Sequence, residues 1–333
     1  MIDLDEAAVE RGLAELDLVA LMRETLSAAA HGNGGGPGRA SFTTPNGVWF
    51  GAMPAWVGGD LNEKVDRFER DRALGTKLLG HEPALGAKLV VAVPENSARG
   101  LPTHRAVVIL LDPATGEPAA WVQAEALTRA RTAAVSVVAT DALARVPRGM
   151  HAILGAGAQG RAHLDAFARA GMVERLAVWS RDRAHAAALA ECARGLGIDC
   201  TIADNADHAV RGADVITTCT ASAEPLFDAA SIADGAHVNA VGACVPHKRE
   251  LPALLIGEAS LVVDDIAAAR AEAGDVILAV AEGAATWDGV VSLGEILAQR
   301  KTPRGGRCSV FVSLGIGVED VAAAAALIRA ARA

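Results

Sequence analysis

Three glycines near the middle of the chain have the spacing of a phosphate-binding turn. Gly155, Gly157 and Gly160 form G-x-G-x-x-G directly after the apolar run at 152–154 and directly before a helical stretch at 161–170. Between a strand and a helix, these glycines permit a tight turn, close approach of the backbone to a pyrophosphate, and close packing of the helix on the strand. The helix start adds amide donors and the positive end of its dipole. The pattern predicts a dinucleotide site formed by Gly155, Gly157, Ala158, Gln159 and Gly160.

The end of the next strand-like run bears on the choice between the two nicotinamide dinucleotides. An acidic residue there would bind the ribose diol of NAD, but the run at 176–179 is followed by Ser180, Arg181, Asp182 and Arg183. A hydroxyl followed by two guanidinium groups suits a 2′-phosphate, because arginine presents a fork of donors to phosphate oxygens. We therefore predict NADP(H) as the preferred cofactor, bound by Ser180, Arg181 and Arg183. NAD(H) is the alternative if Asp182 lies at the strand end.

Apolar patterning divides the chain into two regions. Before about residue 125, short strand-like runs follow one another without long helices, which indicates an antiparallel or mixed sheet. From His151 onward, apolar runs alternate with helical stretches, which favours βαβ units. The expected fold class is α/β, with a Rossmann-type doubly wound parallel sheet plus a second α+β domain.

Helical patterns mark four further segments. We expect one amphipathic helix over 6–30 that ends at the glycines of 32–36, and a charged surface helix over 60–72. An alanine-rich helix is expected over 126–145, and a last helix over 319–333.

Composition limits the partners and the chemistry. A net charge of -9 argues against nucleic acid and anionic membranes as partners. The acidic first residues and the lack of eighteen consecutive apolar residues predict a soluble, cytoplasmic protein. The five cysteines include no Cys-x-x-Cys pair, so we expect neither a metal site nor a disulfide scaffold. The chain has no tyrosine, which excludes proton transfer by a phenol.

Several short motifs occur in a fixed order along the chain. They are M-P-A at 53–55, G-A-K at 86–88, G-L-P-T-H at 100–104, R-T-A-A at 131–134, N-A-V-G-A at 239–243 and V-F-V-S-L-G at 310–315. Together with the glycine turn, they resemble the ornithine cyclodeaminase/mu-crystallin family over nearly the whole chain. The resemblance implies a Rossmann domain at 129–315 and a substrate-binding and dimerisation domain at 1–128 that is joined by a C-terminal helix at about 316–333. It also implies a homodimer that transfers hydride to or from small amino or imino acids.

The resemblance also assigns roles to individual residues. Arg39, Lys88 and Arg131 would bind the substrate, with the two guanidinium groups orienting its carboxylate, and Lys88 would also be catalytic. Thr132 would open a helix near the cofactor phosphates. The remaining cofactor residues implied by the family are Arg131, Thr132, Thr220, Val241, Gly242, Ser313 and Gly315.

The chain departs from the cyclodeaminase pattern at residue 244. Cys244 stands where that pattern has a catalytic aspartate, whereas Lys248 keeps the place of the family's lysine. A thiol is neutral near pH 7 and attracts a substrate ammonium poorly, so we predict reduction of a cyclic imino acid, or interconversion of an amino acid and its keto acid, with Lys88, Cys244 or water supplying the proton. The other possibility is that Cys244 only packs against its neighbours and takes no part in proton transfer. The alternatives are an ornithine or lysine cyclodeaminase and a non-catalytic NADPH-binding protein.

Overall fold

The computed structural model of the protein describes residues 1–58 and 83–332. The expected helix at 60–72 lies outside the described residues. The chain forms two compact units, one of Met1–Arg131 with Gly315–Ala333 and one of Thr132–Leu314. None of the described helices has both the length and the apolar composition needed to cross a lipid bilayer.

The first unit contains a mixed sheet. Its described strands are β1 (Ile2–Leu4), β2 (Gly34–Gly35), β3 (Ala40–Thr43), β4 (Trp49–Val57), β5 (Ala84–Ala92), β6 (His104–Leu111) and β7 (Pro118–Gln123). Their order is β1-β7-β6-β5-β4-β2, and β3 also pairs with β4. Only the β1–β7 pair is parallel among the described strands of this sheet. A short 3₁₀ helix, Pro94–Arg99, follows β5.

Three helices of the first unit accompany this sheet. They are α1 (Glu6–Glu15), α2 (Leu18–Ala30) and, at the end of the chain, α11 (Gly317–Arg332). The expectation of one helix over 6–30 is wrong because Leu16 is extended, with φ −83° and ψ 138°. Asp17 then starts a new helix, since its side chain accepts the N–H of Ala20 at 3.0 Å and so satisfies a free amide of the first turn.

Strand register places alternate side chains of this sheet on opposite faces. Met53, Lys88, Val108 and Val122 are consecutive cross-strand partners, and all four are buried. Helix α11 packs on β4, β5 and β6. Its first residue, Gly317, has to be a glycine here, because a Cβ would lie 2.9 Å from the carbonyl oxygen of Met53.

The second unit contains an eight-stranded, fully parallel sheet. Its strands are β8 (Met150–Leu154), β9 (Arg175–Trp179), β10 (Asp199–Ile202), β11 (Val215–Thr218), β12 (His237–Ala240), β13 (Ala259–Val263), β14 (Val291–Ser292) and β15 (Cys308–Val312). Their order is β10-β9-β8-β11-β12-β15-β13-β14. The chain moves outward from β8 to β10 and then returns to the other side of β8, so the strand order reverses between β8 and β11.

Helices connect these parallel strands. They are α4 (Ala158–Arg169), α5 (Arg183–Gly195), α6 (Ala206–Val210), α7 (Ala253–Glu258), α8 (Ile266–Glu272), α9 (Gly274–Ala281) and α10 (Leu293–Leu297), with a 3₁₀ turn at Ala229–Ser231. Helix α3 (Glu125–Leu143) begins in the first unit and ends in the second. The alternation of strands and helices confirms the predicted α/β class with a Rossmann-type sheet and a second α+β unit.

Candidate active site and dinucleotide site

The glycine turn follows β8 at the point where the strand order reverses, which is where doubly wound sheets bind ligands. Gly155 has φ 106°, and a Cβ on it would lie 2.6 Å from the carbonyl oxygen of Cys219 after β11. A Cβ on Gly160 would collide with the carbonyl oxygen of Gly155. Two of the three glycines are therefore required by the protein's own packing.

Gly157 differs from its two neighbours in the motif. It is the N-cap of α4, no side chain caps that helix end, and a Cβ on Gly157 would have no atom within 4 Å. The fold therefore does not need a glycine at this position, and the first amides of α4 have no capping side chain. Nearby, the buried Oε1 of Gln159 has no hydrogen-bond partner within the described residues. An open backbone surface with free donors fits a bound pyrophosphate.

The end of β9 places Ser180 at the strand terminus, directly after Trp179. Asp182 is occupied as the N-cap of α5, where its carboxylate accepts the N–H of Ala184 at 2.8 Å. Arg181 is exposed and forms no hydrogen bond or ion pair with any described residue. Arg183 is also exposed and lies 3.4 Å from Asp204. The side chains at this strand end are a hydroxyl and two accessible guanidinium groups.

The other predicted cofactor residues of this unit follow three neighbouring strands. Thr220 follows β11, Val241 and Gly242 follow β12, and Ser313 follows β15. The hydroxyl of Ser313 is buried and has no hydrogen-bond partner within the described part of the chain. Because the carboxyl ends of parallel strands share one edge of a sheet, these residues and the glycine turn lie along the same edge.

The structure brings Cys244 to this edge but engages its thiol. The Sγ atom donates to the carbonyl oxygens of Val241 at 3.3 Å and Ser313 at 3.5 Å. Lys248 is half-buried, and its backbone N–H donates to the carbonyl oxygen of Val245 at 3.2 Å.

Thr132 lies within α3 rather than at a helix start, because residues 125–131 have good helix propensity and the helix begins at Glu125.

In the first unit, Lys88 and Arg131 meet two carboxylates of α11. The Nζ atom of Lys88 lies 2.7 Å from Oδ2 of Asp320. Arg131 donates from Nε to Asp320 at 3.0 Å and from Nη1 to Glu319 at 2.7 Å. All four side chains are at most 3% exposed. Glu319 and Asp320 lie in the first turn of α11, where the helix dipole favours negative charge.

Arg39 and Gly315 lie beside this four-residue ion cluster. Arg39 is half-buried, its Nη2 lies 3.5 Å from the carbonyl oxygen of Gly315, and its charge acts on Lys88. A Cβ on Gly315 would collide with the Arg131 guanidinium. With Arg39 included, these five side chains comprise three cations and two carboxylates.

The cluster shifts the protonation of its members. Burial lowers the pKa of Lys88 to about 8, although Asp320 opposes the shift. Burial by itself would raise the pKa of Asp320, but the charges of Arg131 and Lys88 outweigh it and hold that pKa below its usual value. Lys88 is therefore an ammonium with a proton that can be released close to neutral pH.

Sequence reasoning missed Glu319, Asp320 and Glu250. The first two read as ordinary acidic residues at a helix start, and only their burial reveals the pairing. Glu250 is fully buried beside the loops that follow β11 and β12. A cavity of about 590 Å³ in the second unit lies at the amino ends of β12 and β15, where Gly235, Arg307 and Cys308 line it, and it contains none of the predicted site residues.

Known proteins share this architecture. Ketimine reductase mu-crystallin of Mus musculus is 38% identical over 243 residues, which span 73% of this chain and 75% of that protein. Δ1-pyrroline-2-carboxylate reductase of Thermococcus litoralis, solved in complex with NADH and L-proline, matches with a TM-score of 0.87 and 27% identity, covering 100% of this chain and 98% of that one. An archaeal alanine dehydrogenase dimer with bound NAD matches with a TM-score of 0.86 and 27% identity, covering 100% and 96%.

The family assignment agrees with these similarities. The glycine turn lies at the reversal of the parallel sheet, and Lys88 and Arg131 lie together in one buried cluster, as the motifs of the sequence predicted. The model of the ornithine cyclodeaminase/mu-crystallin family matches residues 18–332, and the chain belongs to that family.

Proposed function

We propose that the protein is an NAD(P)-dependent oxidoreductase that reduces a cyclic imino acid, or interconverts an amino acid and its imine. The observation that supports this most directly is the buried group of Lys88, Arg131, Glu319 and Asp320 with Arg39 beside it. Guanidinium groups present a fork of donors that suits a substrate carboxylate. The likeness to ketimine and pyrroline-carboxylate reductases points to the same substrate class.

In this proposal, the two units bind different reactants. The first unit would hold the substrate through Arg39, Lys88 and Arg131, and the second would hold the dinucleotide along the carboxyl edge of its sheet. The dinucleotide supplies the hydride when it is bound. Arg131 of the substrate set and Thr132 of the predicted cofactor residues are adjacent in sequence, where the chain passes from the first unit to the second.

Lys88 is the proposed proton donor. Its Nζ holds a proton below about pH 8, and Asp320 orients it at 2.7 Å. Reduction of a C=N bond adds a hydride to carbon and requires a proton on nitrogen, which an ammonium with a lowered pKa can give. Cys244 is a weaker candidate, because its thiol already donates to Val241 and Ser313. A thiol in place of the cyclodeaminase aspartate also argues against loss of ammonia from a diamino acid.

This role predicts a pH dependence. The pKa of Lys88 is lowered from 10.5 to about 8, so the ammonium form predominates below pH 8 and is lost as the pH rises through that value. We expect kcat/KM for imine reduction to fall above about pH 8, by about tenfold per pH unit. Arginine stays protonated throughout this range. The Lys88→Arg variant should therefore be slower but should not lose activity between pH 8 and 10. If kcat/KM of this variant still fell above pH 8 as in the unaltered protein, the role of Lys88 would be contradicted.

The proposed cofactor preference is for NADP(H), with NAD(H) as the second possibility. It rests on Ser180 at the end of β9, on Asp182 being used as a helix cap, and on the accessible side chains of Arg181 and Arg183. We expect Arg181→Ala to raise the Kd for NADPH about tenfold or more, since a charge-assisted hydrogen bond to phosphate is lost, and to change the Kd for NADH less than about twofold. Arg175→Ala, at the opposite end of β9, is the matched control. Equal effects on both dinucleotides, measured by fluorescence titration, would refute the preference.

We also propose a homodimer formed through the outer face of the first unit's sheet. In that face, Pro54, Ala87, Ile109 and Trp121 are consecutive cross-strand partners, and Trp121 is 36% exposed. A half-exposed apolar sheet face suits a self-complementary contact between two copies, and the similar alanine dehydrogenase is a dimer. Sedimentation velocity of the purified protein tests this; a monomer at micromolar concentration would contradict it.

The five free thiols suit the proposed cytoplasmic location.

The activity itself is tested with purified protein, NADPH and a panel of cyclic imino acids. Loss of the reduced-nicotinamide absorbance is the expected result. Release of ammonia from ornithine without net change in the cofactor would show a cyclodeaminase instead. Tight NADPH binding with neither reaction would favour a non-catalytic binding protein.

A further inference from the structure

Glu250 places one carboxylate between the ends of two strands. Its Oε2 accepts the hydroxyl of Thr218 at 2.9 Å and the N–H of Gly242 at 2.8 Å, and its Oε1 accepts the N–H of Thr220 at 2.6 Å. Thr218 is the last residue of β11, and Gly242 lies two residues beyond β12. The side chain therefore links the loops that follow these two strands.

Both loops lie on the half of the sheet that would receive the nicotinamide. In a doubly wound sheet the dinucleotide spans the reversal of strand order, and its adenosine ribose lies at the end of the second strand, here β9. The other half of the dinucleotide then extends over β11 and β12, on the opposite side of β8. Thr220 and Gly242, whose N–H groups donate to the Glu250 carboxylate, follow those strands.

The spacing of the two loops depends on this contact. A Cβ on Gly242 would collide with the carbonyl oxygen of Thr220 and would lie 2.6 Å from the Glu250 carboxylate. The loops are therefore as close as backbone atoms allow, with the carboxylate as their common acceptor. Loss of the negative charge would leave N–H donors of both loops facing a weaker acceptor.

The chain maintains this carboxylate at an energetic cost. Glu250 is fully buried, and burial raises its pKa. No lysine or arginine forms an ion pair with it within residues 1–58 and 83–332. Asp275 is also buried, accepts the N–H groups of Glu250 and Leu251 at 2.8 Å each, and has a pKa raised to about 7 by burial. Burial of two neighbouring acids costs folding free energy, which the hydrogen bonds that both carboxylates accept offset in part.

We propose that Glu250 is a positioning residue of the dinucleotide site, whose carboxylate sets the spacing of the loops after β11 and β12 and thereby the place of the nicotinamide. The inference rests on the proposed function. Asp275 supports this arrangement, because its carboxylate accepts the N–H groups of Glu250 and Leu251 and so holds the backbone of Glu250 in place.

The test compares two ligands on the full chain. NADPH contains the nicotinamide, whereas 2′-phospho-ADP-ribose has the same adenosine half and pyrophosphate without it. For Glu250→Gln we expect the Kd for NADPH to rise about tenfold or more and the Kd for 2′-phospho-ADP-ribose to change less than about twofold. In turnover, kcat should fall while KM for the imino acid stays nearly constant.

Two further variants keep the test decisive. Thr218→Val retains the carboxylate but removes one donor, and it should shift the NADPH affinity in the same direction by about threefold, even if Glu250→Gln does not fold. Glu258→Gln removes a carboxylate that pairs with Arg307 at the amino edge of the same sheet, and it should leave both affinities unchanged. Equal weakening of both ligands, or no weakening of either, would overturn the inference. If the unaltered protein bound neither ligand, the proposed function itself would fail.

Discussion

The Arg131→Met variant is expected to lose about 3–5 kcal/mol of the free energy of unfolding and all measurable imine reduction. Arg131 donates to both Glu319 and Asp320, and all three side chains are at most 3% exposed. Methionine is similar in size but cannot donate to the two buried carboxylates. Removal of one partner from a buried ion pair is strongly destabilising. Urea denaturation gives the stability change, and NADPH oxidation with an imino acid gives the activity.

A double variant separates the structural role of Arg131 from its role in binding. Arg131→Met with Glu319→Gln removes one charge of each sign and leaves the Lys88–Asp320 pair, at 2.7 Å, intact. We expect this variant to regain most of the lost stability but to remain inactive, because the substrate carboxylate would lack one of its two proposed guanidinium partners. Arg129→Met, on the same helix, is the control. The Arg129 guanidinium lies 3.7 Å from Glu6 and 3.8 Å from Glu10, and these side chains are partly exposed. The free energy of unfolding of the Arg129→Met variant should therefore change by less than about 1 kcal/mol. Activity in the double variant would show that Arg131 does not bind the substrate.

The Gly157→Ala variant is expected to fold normally but to bind dinucleotide at least about a hundredfold more weakly. The structure has no atom within 4 Å of a Cβ at this position, so only a ligand would meet the added methyl group. Exchange of glycine for alanine at an N-cap costs about 1 kcal/mol at most. Isothermal titration with NADPH measures the binding, and thermal unfolding measures the stability.

Two other glycines provide the comparison for Gly157. Gly160→Ala should reduce stability as well as binding, because its Cβ would collide with the carbonyl oxygen of Gly155. Gly195→Ala, in α5, also has open space around the added carbon and should leave binding unchanged. Normal NADPH affinity in Gly157→Ala would mean that no pyrophosphate approaches this turn.

The sequence predicted those parts of the fold that depend on local order. The alternation of strands and helices after residue 150 and the placement of the glycine turn follow from neighbouring residues, since turn geometry and apolar periodicity are short-range properties. The single helix over 6–30 was wrong for a local reason that could have been recognised, because Asp17 is a good N-cap residue.

What the sequence by itself determined was the family, the sheet class and the residue types along the carboxyl edge. Only the tertiary structure decided that Lys88 and Arg131 are paired with Glu319 and Asp320, residues 188 and 189 positions away from Arg131 in the chain. It also decided that Glu250 lies between the loops that follow β11 and β12. The reason is physical: the pKa of a lysine, the charge of a cluster and the position of a loop depend on burial and on partners from distant segments, and neither property is encoded in local spacing.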